Sequence, residues 1–410
     1  MTDTVRNVTC LGCGCACDDL TIGLAGGRIT SVEPPCPLAV AWFGDGTVPD
    51  RALVDARPAA VDLAIEAAAD LLSGARGRLL AYIGTDLSTQ AHRMAIAIAD
   101  LLGATVDGPT SETAALGLLA AQRRGRASST LGEVRNRADV VLCWAVDPAT
   151  RYPRYFERYA PPAQGRDLLA VHVGEDRAPS GADATVSLSP EQEIPALSVL
   201  RATVAGNPLG ELPPPLRPVA DLAARLTRAR YAAIVHDGEP GRESRRDPHR
   251  IEGLIALAQA LNGPARATLS SLRGGGNRSG VESALTWQTG YPMAVEFTGA
   301  GPRYGPAGRG IDRLAGKAFD AVLIVGGAEE LIARPPEVPT IAVGPRASER
   351  WSGARVALDT GVAGIHEAGT AYRMDEVPLP LTPPLSGGRS ARETLERLLA
   401  RLREQGGASS

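Results

Sequence analysis

Several residue types and patterns are scarce in this chain of 410 residues, and their scarcity excludes whole classes of protein. Lysine is nearly absent, and the net charge of −3 favours neither nucleic acid nor an anionic membrane surface as a partner. No uninterrupted apolar stretch approaches the ~18 residues of a membrane helix. Residues 1–9, MTDTVRNVT, lack the charged head and apolar run of a secretory signal. We therefore expect a cytoplasmic protein that binds no nucleic acid and no membrane.

Cysteine is also scarce, but its distribution is uneven. The chain has six cysteines, and four of them lie in the stretch CLGCGCACDD at its start. Clustered thiols in a reducing compartment more often indicate a metal than disulfides. The metal-ligand pattern is C-x2-C-x3-C followed by one later thiol, and its members are Cys10, Cys13, Cys17 and Cys36.

The four thiols leave three alternatives open. Four thiolates suit a [4Fe–4S] cluster, and a tetrahedral zinc ion accepts the same four ligands. The spacing favours the cluster, and the third alternative is that the thiols hold nothing. Residues 18–33 alternate around a Gly-Gly pair, which predicts a β-hairpin that brings Cys36 back toward the loop. Cys15 is a spare thiol in the loop, and Cys143 is predicted to lie in a buried strand.

The rest of the chain reads as two series of α/β units. Residues 87–103 predict an amphipathic helix that begins after an N-cap serine and ends at a glycine. Strands this apolar are buried on both faces, as in parallel sheets covered by helices. Ligands of such sheets bind beyond the carboxyl ends of the strands. The predicted strands lie within residues 78–86, 138–148, 167–176, 184–190, 230–238, 319–330, 339–348 and 354–361.

These series predict an α/β protein with two doubly wound domains behind a small cysteine-bearing β module. The predicted boundaries are 1–49 for the module, 50–206 and 207–385 for the α/β domains, and 386–410 for a charged C-terminal helix and tail. That helix carries an apolar stripe that packs on its own chain or on a partner. The stripe consists of Leu395, Leu398, Leu399 and Leu402.

Four stretches together resemble the B-type subunit of formylmethanofuran dehydrogenase, a branch of the molybdopterin oxidoreductase superfamily. They are VTCLGCGCACDDL with the later Cys36, TLGEVRNRADVVLCWAVDP (130–148), LTWQTGYPMAVEF (285–297) and GTAYRMDEVPL (369–379). The resemblance runs from about residue 5 to residue 380. It implies a fold like that of formate dehydrogenase and DMSO reductase.

The resemblance also implies cofactors. In that family a [4Fe–4S] cluster is held by the cysteines that match Cys10, Cys13, Cys17 and Cys36, and a tungsto- or molybdo-bispyranopterin lies between the α/β domains. For a bound pterin, the resemblance and the strand ends suggest Asp147, Gly326, Gly327 and Arg373 as contacts.

One departure from the family pattern bears on the mechanism. The family's metal ligand is a cysteine or selenocysteine, followed by histidine, just after a Thr-Ser pair. Here Thr110 and Ser111 are followed by Glu112 and Thr113. This stretch offers no soft donor and no proton carrier, so we expect the bispyranopterin to be absent and assign no catalytic residue. Glu112 as a hard oxygen ligand is the minor alternative.

Three functions remain open on these grounds. The favoured one is a non-redox structural subunit of the bacterial formyltransferase/hydrolase complex, in one-carbon oxidation to formate. Its partners would be an amidohydrolase-like A-type subunit, a C-type subunit, a formyltransferase-like D-type subunit and a polyglutamylated, methanofuran-like carrier. The alternatives are an active molybdenum or tungsten dehydrogenase subunit, and a binding or regulatory protein. Arginines that would attract the anionic carrier are Arg273, Arg278, Arg303 and Arg373.

Overall fold

The computed structural model describes residues 3–111, 114–162, 165–239, 249–305, 310–316, 318–328, 331 and 336–407. The chain divides into two structural units. Unit 1 comprises Met1–Ser111 and Gly275–Ser410, and unit 2 comprises Glu112–Gly274. Unit 1 is therefore built from both ends of the chain, and unit 2 is inserted into it.

The strands of the described residues, in chain order, are short. They are β1 Asp3–Val8, β2 Leu20–Ala25, β3 Arg28–Glu33, β4 Ala52–Val54, β5 Arg57–Pro58, β6 Leu79–Ile83, β7 Thr105–Asp107, β8 Val140–Trp144, β9 Asp167–Val173, β10 Ala184–Leu188, β11 Ala232–Asp237, β12 Ala267–Leu272, β13 Val295–Thr298, β14 Gly301–Tyr304, β15 Ala321–Val325, β16 Thr340–Pro345, β17 Val356–Thr360, β18 Gly369–Tyr372 and β19 Pro378–Leu381.

The helices alternate with these strands along most of the chain. They are α1 Pro37–Phe43, α2 Val61–Gly74, α3 Thr89–Leu102, α4 Ala115–Arg124, α5 Leu131–Arg137, α6 Pro148–Arg151, α7 Tyr155–Tyr159, α8 Glu193–Val204, α9 Arg217–Arg228, α10 Arg250–Leu261, α11 Arg278–Thr289, α12 Ala347–Arg350 and α13 Ala391–Gly407. Among the described residues, none of these helices has the length and hydropathy to cross a membrane.

Unit 1 contains the larger sheet. Its order within the described residues is β14-β13-β7-β6-β15-β16-β17-β4-β5, and β7, β6, β15, β16 and β17 run parallel. Helices α2, α3 and α13 contribute apolar side chains to the core on one face, and Trp351 lies in a second core with the opposite side chains of the same strands. The strand order reverses between β6 and β15, because β7 follows β6 in the chain but lies on its other side.

Unit 2 contains a sheet with the order β10-β9-β8-β11-β12, all parallel. Its core is made by these strands together with α8, α9 and α10. Here the order reverses between β8 and β11. A doubly wound α/β arrangement is thus present, as the apolar strands and intervening helices predicted.

The small N-terminal sheet has the order β1-β2-β3 and is antiparallel. The predicted hairpin is β2 and β3, joined by Gly26 and Gly27, whose φ angles of 56° and 75° suit glycine. Side chains of this sheet pack with Cys36 and Phe43 in one apolar cluster. The hairpin therefore brings Cys36 to the sheet that carries the cysteine loop.

Helix α3 shows how local sequence fixes an element. Its N-cap Ser88 accepts a hydrogen bond from the N–H of Ala91, and Gly103 ends the helix in the left-handed conformation at φ 63°. The prediction for residues 87–103 is confirmed. The apolar stripe of α13, Leu395 to Leu402, packs on its own chain, which the sequence left open.

The structural units do not follow the predicted boundaries of 50–206 and 207–385. Strands β11 and β12, assigned by sequence to the second domain, add to the sheet that contains β8. Strands β15, β16 and β17 instead complete the sheet begun by β6. The physical reason is that strands of both series are apolar on both faces, so their composition does not specify which strands pair. Residues 1–49, predicted as a separate module, and residues 386–410, predicted as a separate helix and tail, both belong to the compact unit 1.

Candidate functional site

The cysteine loop, residues 10–17, connects β1 to β2. The N–H of Cys10 donates to the carbonyl of Cys17 at 2.8 Å, which closes the loop on itself. Cys36 is the N-cap residue of α1 and lies in the same apolar cluster as Cys10. Cys36 thus packs near Cys10, as the predicted hairpin implied.

The thiols differ in their environments. Burial raises the pKa of Cys10 well above its usual range, and the charges of Cys13, Cys17 and Cys36 raise it further against a stabilising N–H of Gly12. A hydrogen bond from the Cys15 thiol lowers the pKa of Cys13 to about 7. The loop therefore holds thiols of unlike acidity a short distance apart.

Within the described part of the chain, no three His, Cys, Asp or Glu side chains are grouped as ligands of one metal ion. The four thiols lie near enough to influence one another's ionisation, but they do not form a ready ligand set in this conformation. By donor chemistry they fit an iron–sulfur cluster or zinc. The assignment of Cys10, Cys13, Cys17 and Cys36 to a metal stays a prediction.

The Thr-Ser pair lies directly after β7. Buried Asp107 accepts a hydrogen bond from the N–H of Gly108 at 2.8 Å and another from the hydroxyl of Ser111, while its second oxygen accepts the N–H of Ile311 at 2.9 Å. The hydroxyl of Thr110 is buried and has no hydrogen-bond partner among the described residues. Asp107 thus fixes the loop that carries the pair. Glu112 and Thr113 lie outside the described residues.

A cavity of about 250 Å³ lies in unit 1 where the strand order reverses. Loops after the carboxyl ends of β6, β7 and β15 line it, which is the place where open α/β sheets bind ligands. Its volume is below the roughly 300–1,000 Å³ of most small-molecule sites. The lining residues are Leu11, Gly12, Trp42, Thr85, Asp86, Pro109, Gly275, Gly276, Arg278, Gly327 and Arg350.

The cysteine loop forms part of this cavity wall. The carbonyl of Leu11 accepts the N–H of Gly276 at 2.7 Å. A Cβ on Gly275 would stand 2.7 Å from the carbonyl oxygen of Gly12, so only glycine allows the two backbones to approach this closely. The loop and the first residues before α11 are therefore joined through the backbone.

The four predicted cofactor contacts lie in different places. Gly327 lines the cavity, and its N–H donates to Asp86 at 2.8 Å. Gly326 precedes it at the end of β15. Arg373 forms an ion pair with Asp375 at 2.7 Å in the turn between β18 and β19. Asp147 belongs to unit 2, where its side chain caps α6 through the N–H of Ala149 at 2.9 Å. The structure places only Gly327 on the cavity.

Three histidines form hydrogen bonds with residues of their own structural unit. In unit 1, His92 is fully buried and bonds to the carbonyl of Gly84 at 3.0 Å through Nε2, and burial lowers its pKa to about 4. In unit 2, Nδ1 of His236 donates to the carbonyl of Asp237 at 3.0 Å, so its Nε2 accepts the hydroxyl of Ser271 at 2.9 Å. His366 bonds to the carbonyl of Gly46 at 2.7 Å. None of the three lines the 250 Å³ cavity.

This chain is similar to known proteins over nearly its whole length. The chain is 30% identical over 442 aligned positions to the B-type subunit of the tungsten-containing formylmethanofuran dehydrogenase 2 of Methanocaldococcus jannaschii. The alignment covers 98% of this chain and 100% of that protein. The chain belongs to the family of formylmethanofuran dehydrogenase B-type subunits. A second relative, from Methanococcus maripaludis, has the same name and is 26% identical over 92% of this chain and 93% of its own length. No protein-family model matches the chain.

A bacterial branch of this family is also similar. The B-type subunit of the formyltransferase/hydrolase complex, Fhc, of Methylorubrum extorquens is 33% identical over 58% of this chain and 63% of its own length. A chain in the crystal structure of that complex, FhcABCD bound to methylofuran, has a TM-score of 0.70 and 25% identity, covering 87% of this chain and 99% of that chain. Both branches of the family are thus represented among its relatives.

Sequence reasoning missed several site residues. Trp42, Asp86 and Arg350 were not singled out, and Arg278 was named only as a carrier-binding residue. These four are far apart in the sequence and follow no motif. Only the ends of β6 and β15, where the strand order reverses, would have pointed to Asp86 and Gly327.

Proposed function

We propose that this chain is the non-redox, structural B-type subunit of a formyltransferase/hydrolase complex. The observation that carries the proposal is the stretch from Thr110 to Thr113, which provides no sulfur or selenium donor where the family ligates its metal. Conversion of a carrier-bound formyl group to formate by hydrolysis needs no electron transfer, so a scaffold of this family can serve the complex without its metal. The similarity to the B-type subunit of Fhc supports this branch.

The fold supports the finer assignment to the formate dehydrogenase and DMSO reductase class. The α/β units follow a small sheet that carries clustered cysteines, which is the order expected for that class. The missing soft donor after Thr110 and Ser111 favours a protein without bispyranopterin.

The partners follow from the same branch. We propose an amidohydrolase-like A-type subunit, a C-type subunit and a formyltransferase-like D-type subunit, with a methanofuran-like carrier. Of the arginines suggested for an anionic carrier, Arg273 is paired with Glu239 at 2.9 Å and Arg373 with Asp375. Arg303 is exposed on β14. Arg278 lines the cavity.

For the cysteine site we propose a [4Fe–4S] cluster on Cys10, Cys13, Cys17 and Cys36, with zinc as the alternative. When bound, the cluster would cross-link the loop before β2 to the start of α1. The thiols already belong to one small structural region, so the metal would stabilise the N-terminal sheet. This role requires no electron transfer.

The second candidate is an active tungsten or molybdenum dehydrogenase subunit that interconverts formate and carbon dioxide. The full-length similarity to a tungsten-containing relative favours it. In that case Glu112 would have to supply an oxygen ligand. The two candidates differ in metal content.

Elemental analysis of the complex purified without oxygen separates them. We expect about four iron atoms per copy of this chain, no molybdenum or tungsten, and co-purification with the A-type, C-type and D-type subunits. Cys17→Ser should lose iron while Cys15→Ser, in the same loop, should keep it. Roughly one tungsten or molybdenum atom per copy of this chain would overturn the structural role. Zinc in place of iron would replace the proposed [4Fe–4S] cluster by a zinc ion and would leave the proposed structural role unchanged.

A further inference from the structure

We propose that the edge of the unit 2 sheet at which its strands begin binds an acidic segment of a partner polypeptide. The inference goes beyond the structural role proposed above, and its test does not depend on that role. It rests on the order of the strands, on the exposure of arginines along this edge and on their excess of positive charge. We call this surface the arginine edge, and it consists of Arg135, Arg137, Arg166, Arg225, Arg228, Arg230 and Arg266.

An arginine stands shortly before the first residue of each of four neighbouring strands. Arg166 precedes β9, Arg137 precedes β8, Arg230 precedes β11 and Arg266 precedes β12, and the sheet order is β9-β8-β11-β12. Because these strands are parallel, the segments that lead into them meet at one edge. Neighbouring strands lie about 4.8 Å apart, so the segments that carry the four arginines span about 14 Å.

Hydrogen bonds hold these segments side by side. Between β12 and β11, the N–H of Ala232 donates to the carbonyl of Arg266 at 2.8 Å. Between β11 and β8, the N–H of Arg230 donates to the carboxylate of Asp139 at 3.0 Å. Between β8 and β9, the N–H of Asp167 donates to the carbonyl of Asp139 at 2.8 Å. The backbone that carries the arginines is therefore fixed by the sheet.

The arginine edge carries more positive than negative charge. In the described segments that lead into or begin the five strands of this sheet, seven arginines accompany four carboxylates, which leaves an excess of three positive charges. The four acidic residues are Glu133, Asp139, Asp167 and Asp183.

Ion pairs within the edge occupy three of these carboxylates. They are Glu133 with Arg137 at 3.7 Å, Asp139 with Arg230 at 3.2 Å, and Asp167 with Arg225 at 3.1 Å. Arg228 and Arg266 are exposed, and neither forms an ion pair within the ranges of the chain that the structure describes. These two guanidinium groups are therefore available to carboxylates of another molecule.

Two other arginines are held close together despite their like charge. The guanidinium of Arg166 donates to the carbonyl of Arg135 at 2.6 Å. Burial and the charge of Arg135 lower the pKa of Arg166. An acidic segment bound at the edge would relieve this repulsion.

Helix dipoles account for only part of the positive charge. The last turns of α5 and α9 each carry two arginines, and positive charge is favoured at the C-terminus of a helix. Arg230 and Arg266 lie in loops beyond the ends of α9 and α10, where this effect has faded. The side chain of Arg230 is 88% exposed. A binding role explains these two positions, which the helices do not.

The chemistry of the edge favours a carboxylate-rich polypeptide. A guanidinium group binds a carboxylate through two parallel hydrogen bonds and is less strongly hydrated than the ammonium group of lysine. Protein interfaces are accordingly enriched in arginine and depleted in lysine. An extended chain rises about 3.3 Å per residue, so about four or five residues of an acidic segment cover the edge.

The test measures binding of a fluorescent peptide of alternating Asp and Ser, about twelve residues long, to the full-length protein by anisotropy. We expect saturable binding that weakens as salt is added. Arg228→Gln combined with Arg266→Gln should weaken it about five- to tenfold, because each exposed ion pair contributes little alone. Asp183→Asn should tighten it, because this change removes a carboxylate from the edge while the amide oxygen still accepts the N–H of Leu168.

Arg57→Gln combined with Arg177→Gln is the matched control, because it removes the same charge from two exposed arginines outside the edge. It should bind the peptide like the unaltered protein. Circular dichroism verifies that each variant is folded, and Asp183→Asn decides the matter if the variant at Arg228 and Arg266 does not fold.

Four outcomes would overturn the proposal. They are no saturable binding up to about 1 mM peptide, equal binding of a peptide of alternating Asn and Ser, and a control variant that weakens binding as much as the variant of the edge. The fourth is tighter binding of single-stranded DNA of equal charge, which would assign the edge to nucleic acid instead of a polypeptide.

Discussion

Two buried histidines, one in each unit, are held neutral by their surroundings. His92 and His236 are 0% and 2% exposed, and burial lowers the pKa of each to about 4. Each ring has a backbone carbonyl as its acceptor, which fixes a tautomer but supplies no counter-charge. Protonation of either ring therefore requires the surrounding structure to open or lowers the stability of the fold.

The neutral form of His92 makes the stability of the fold depend on pH. The unfolded chain binds this proton below about pH 6.5, whereas the folded chain binds it only near pH 4. The stabilisation is thus present above pH 6.5 and is lost as pH falls toward 4, at a cost of about 2 kcal/mol between pH 7 and 5. We expect the free energy of unfolding of His92→Gln, measured with urea, to fall by about 2 kcal/mol less between pH 7 and pH 5 than that of the unaltered protein.

The control is Leu63→Gln, at a position 65% exposed on α2. It removes no titratable group and should leave the pH dependence unchanged. Equal pH dependence in His92→Gln and the unaltered protein would show that His92 is not buried in the neutral form.

At the scale of elements, α13 joins the end of the chain to its first helices. Its polar contacts with α2 keep one spacing along both helices: Arg397 with Asp62, Arg401 with Glu66, and Gln405 with Asp70. A constant spacing of this kind means that the two helices run parallel. On the other side of α13 the leucine stripe is buried in the core of unit 1.

The leucine stripe should dominate the stability of this contact. Leu398 is 0% exposed, and Leu398→Ala should lower the free energy of unfolding by about 2–5 kcal/mol because it leaves a cavity. Leu63→Ala, at a position 65% exposed on α2, should cost far less. Arg397→Ala should cost no more than about 1 kcal/mol, because its ion pair is exposed. Urea unfolding of the three variants decides this, and a Leu398→Ala cost no larger than that of Leu63→Ala would contradict it.

The elements themselves were predictable because their causes are local. The N-cap serine and the terminal glycine of α3, and the Gly-Gly turn between β2 and β3, act within a few residues. Strand pairing was not predictable. VVLCW in β8 and AVLIV in β15 are equally apolar, yet only β8 pairs with β11, and the choice depends on contacts between distant parts of the chain.

The candidate site divides in the same way. The cysteines stand out because their spacing is a local pattern, and Cys36 packs in the same apolar cluster as Cys10 after a hairpin that the sequence also predicts. Their role as metal ligands stays a prediction. The cavity was not found, because Trp42, Arg278 and Arg350 meet only after β6 and β15 pair. Residues that come together only when distant strands pair follow no local sequence pattern.

At the scale of the whole molecule, unit 2 is a continuous stretch inserted into a discontinuous one. Its sheet and the apolar cluster that covers it come entirely from residues between 112 and 274. Unit 1 instead needs β6 and β7 from before the insertion and β15 to β17 from after it.

We therefore expect residues 112–274, expressed as a separate polypeptide, to fold by themselves. Circular dichroism should show one cooperative thermal transition, because the fragment retains its whole core. Residues 1–111 are the control fragment and should show none, because β6 lacks its partner β15. A gradual, non-cooperative melt of the 112–274 fragment would refute the independence of unit 2.

The divided sheet of unit 1 has a consequence during synthesis. A ribosome that has finished β7 must add more than two hundred residues before β15 emerges, which takes roughly 10–40 s at about 5–20 residues per second. Throughout that interval the nascent chain exposes an apolar strand edge while the inserted segment has time to fold. Translation of this protein should therefore draw on chaperones that shield its amino-terminal third.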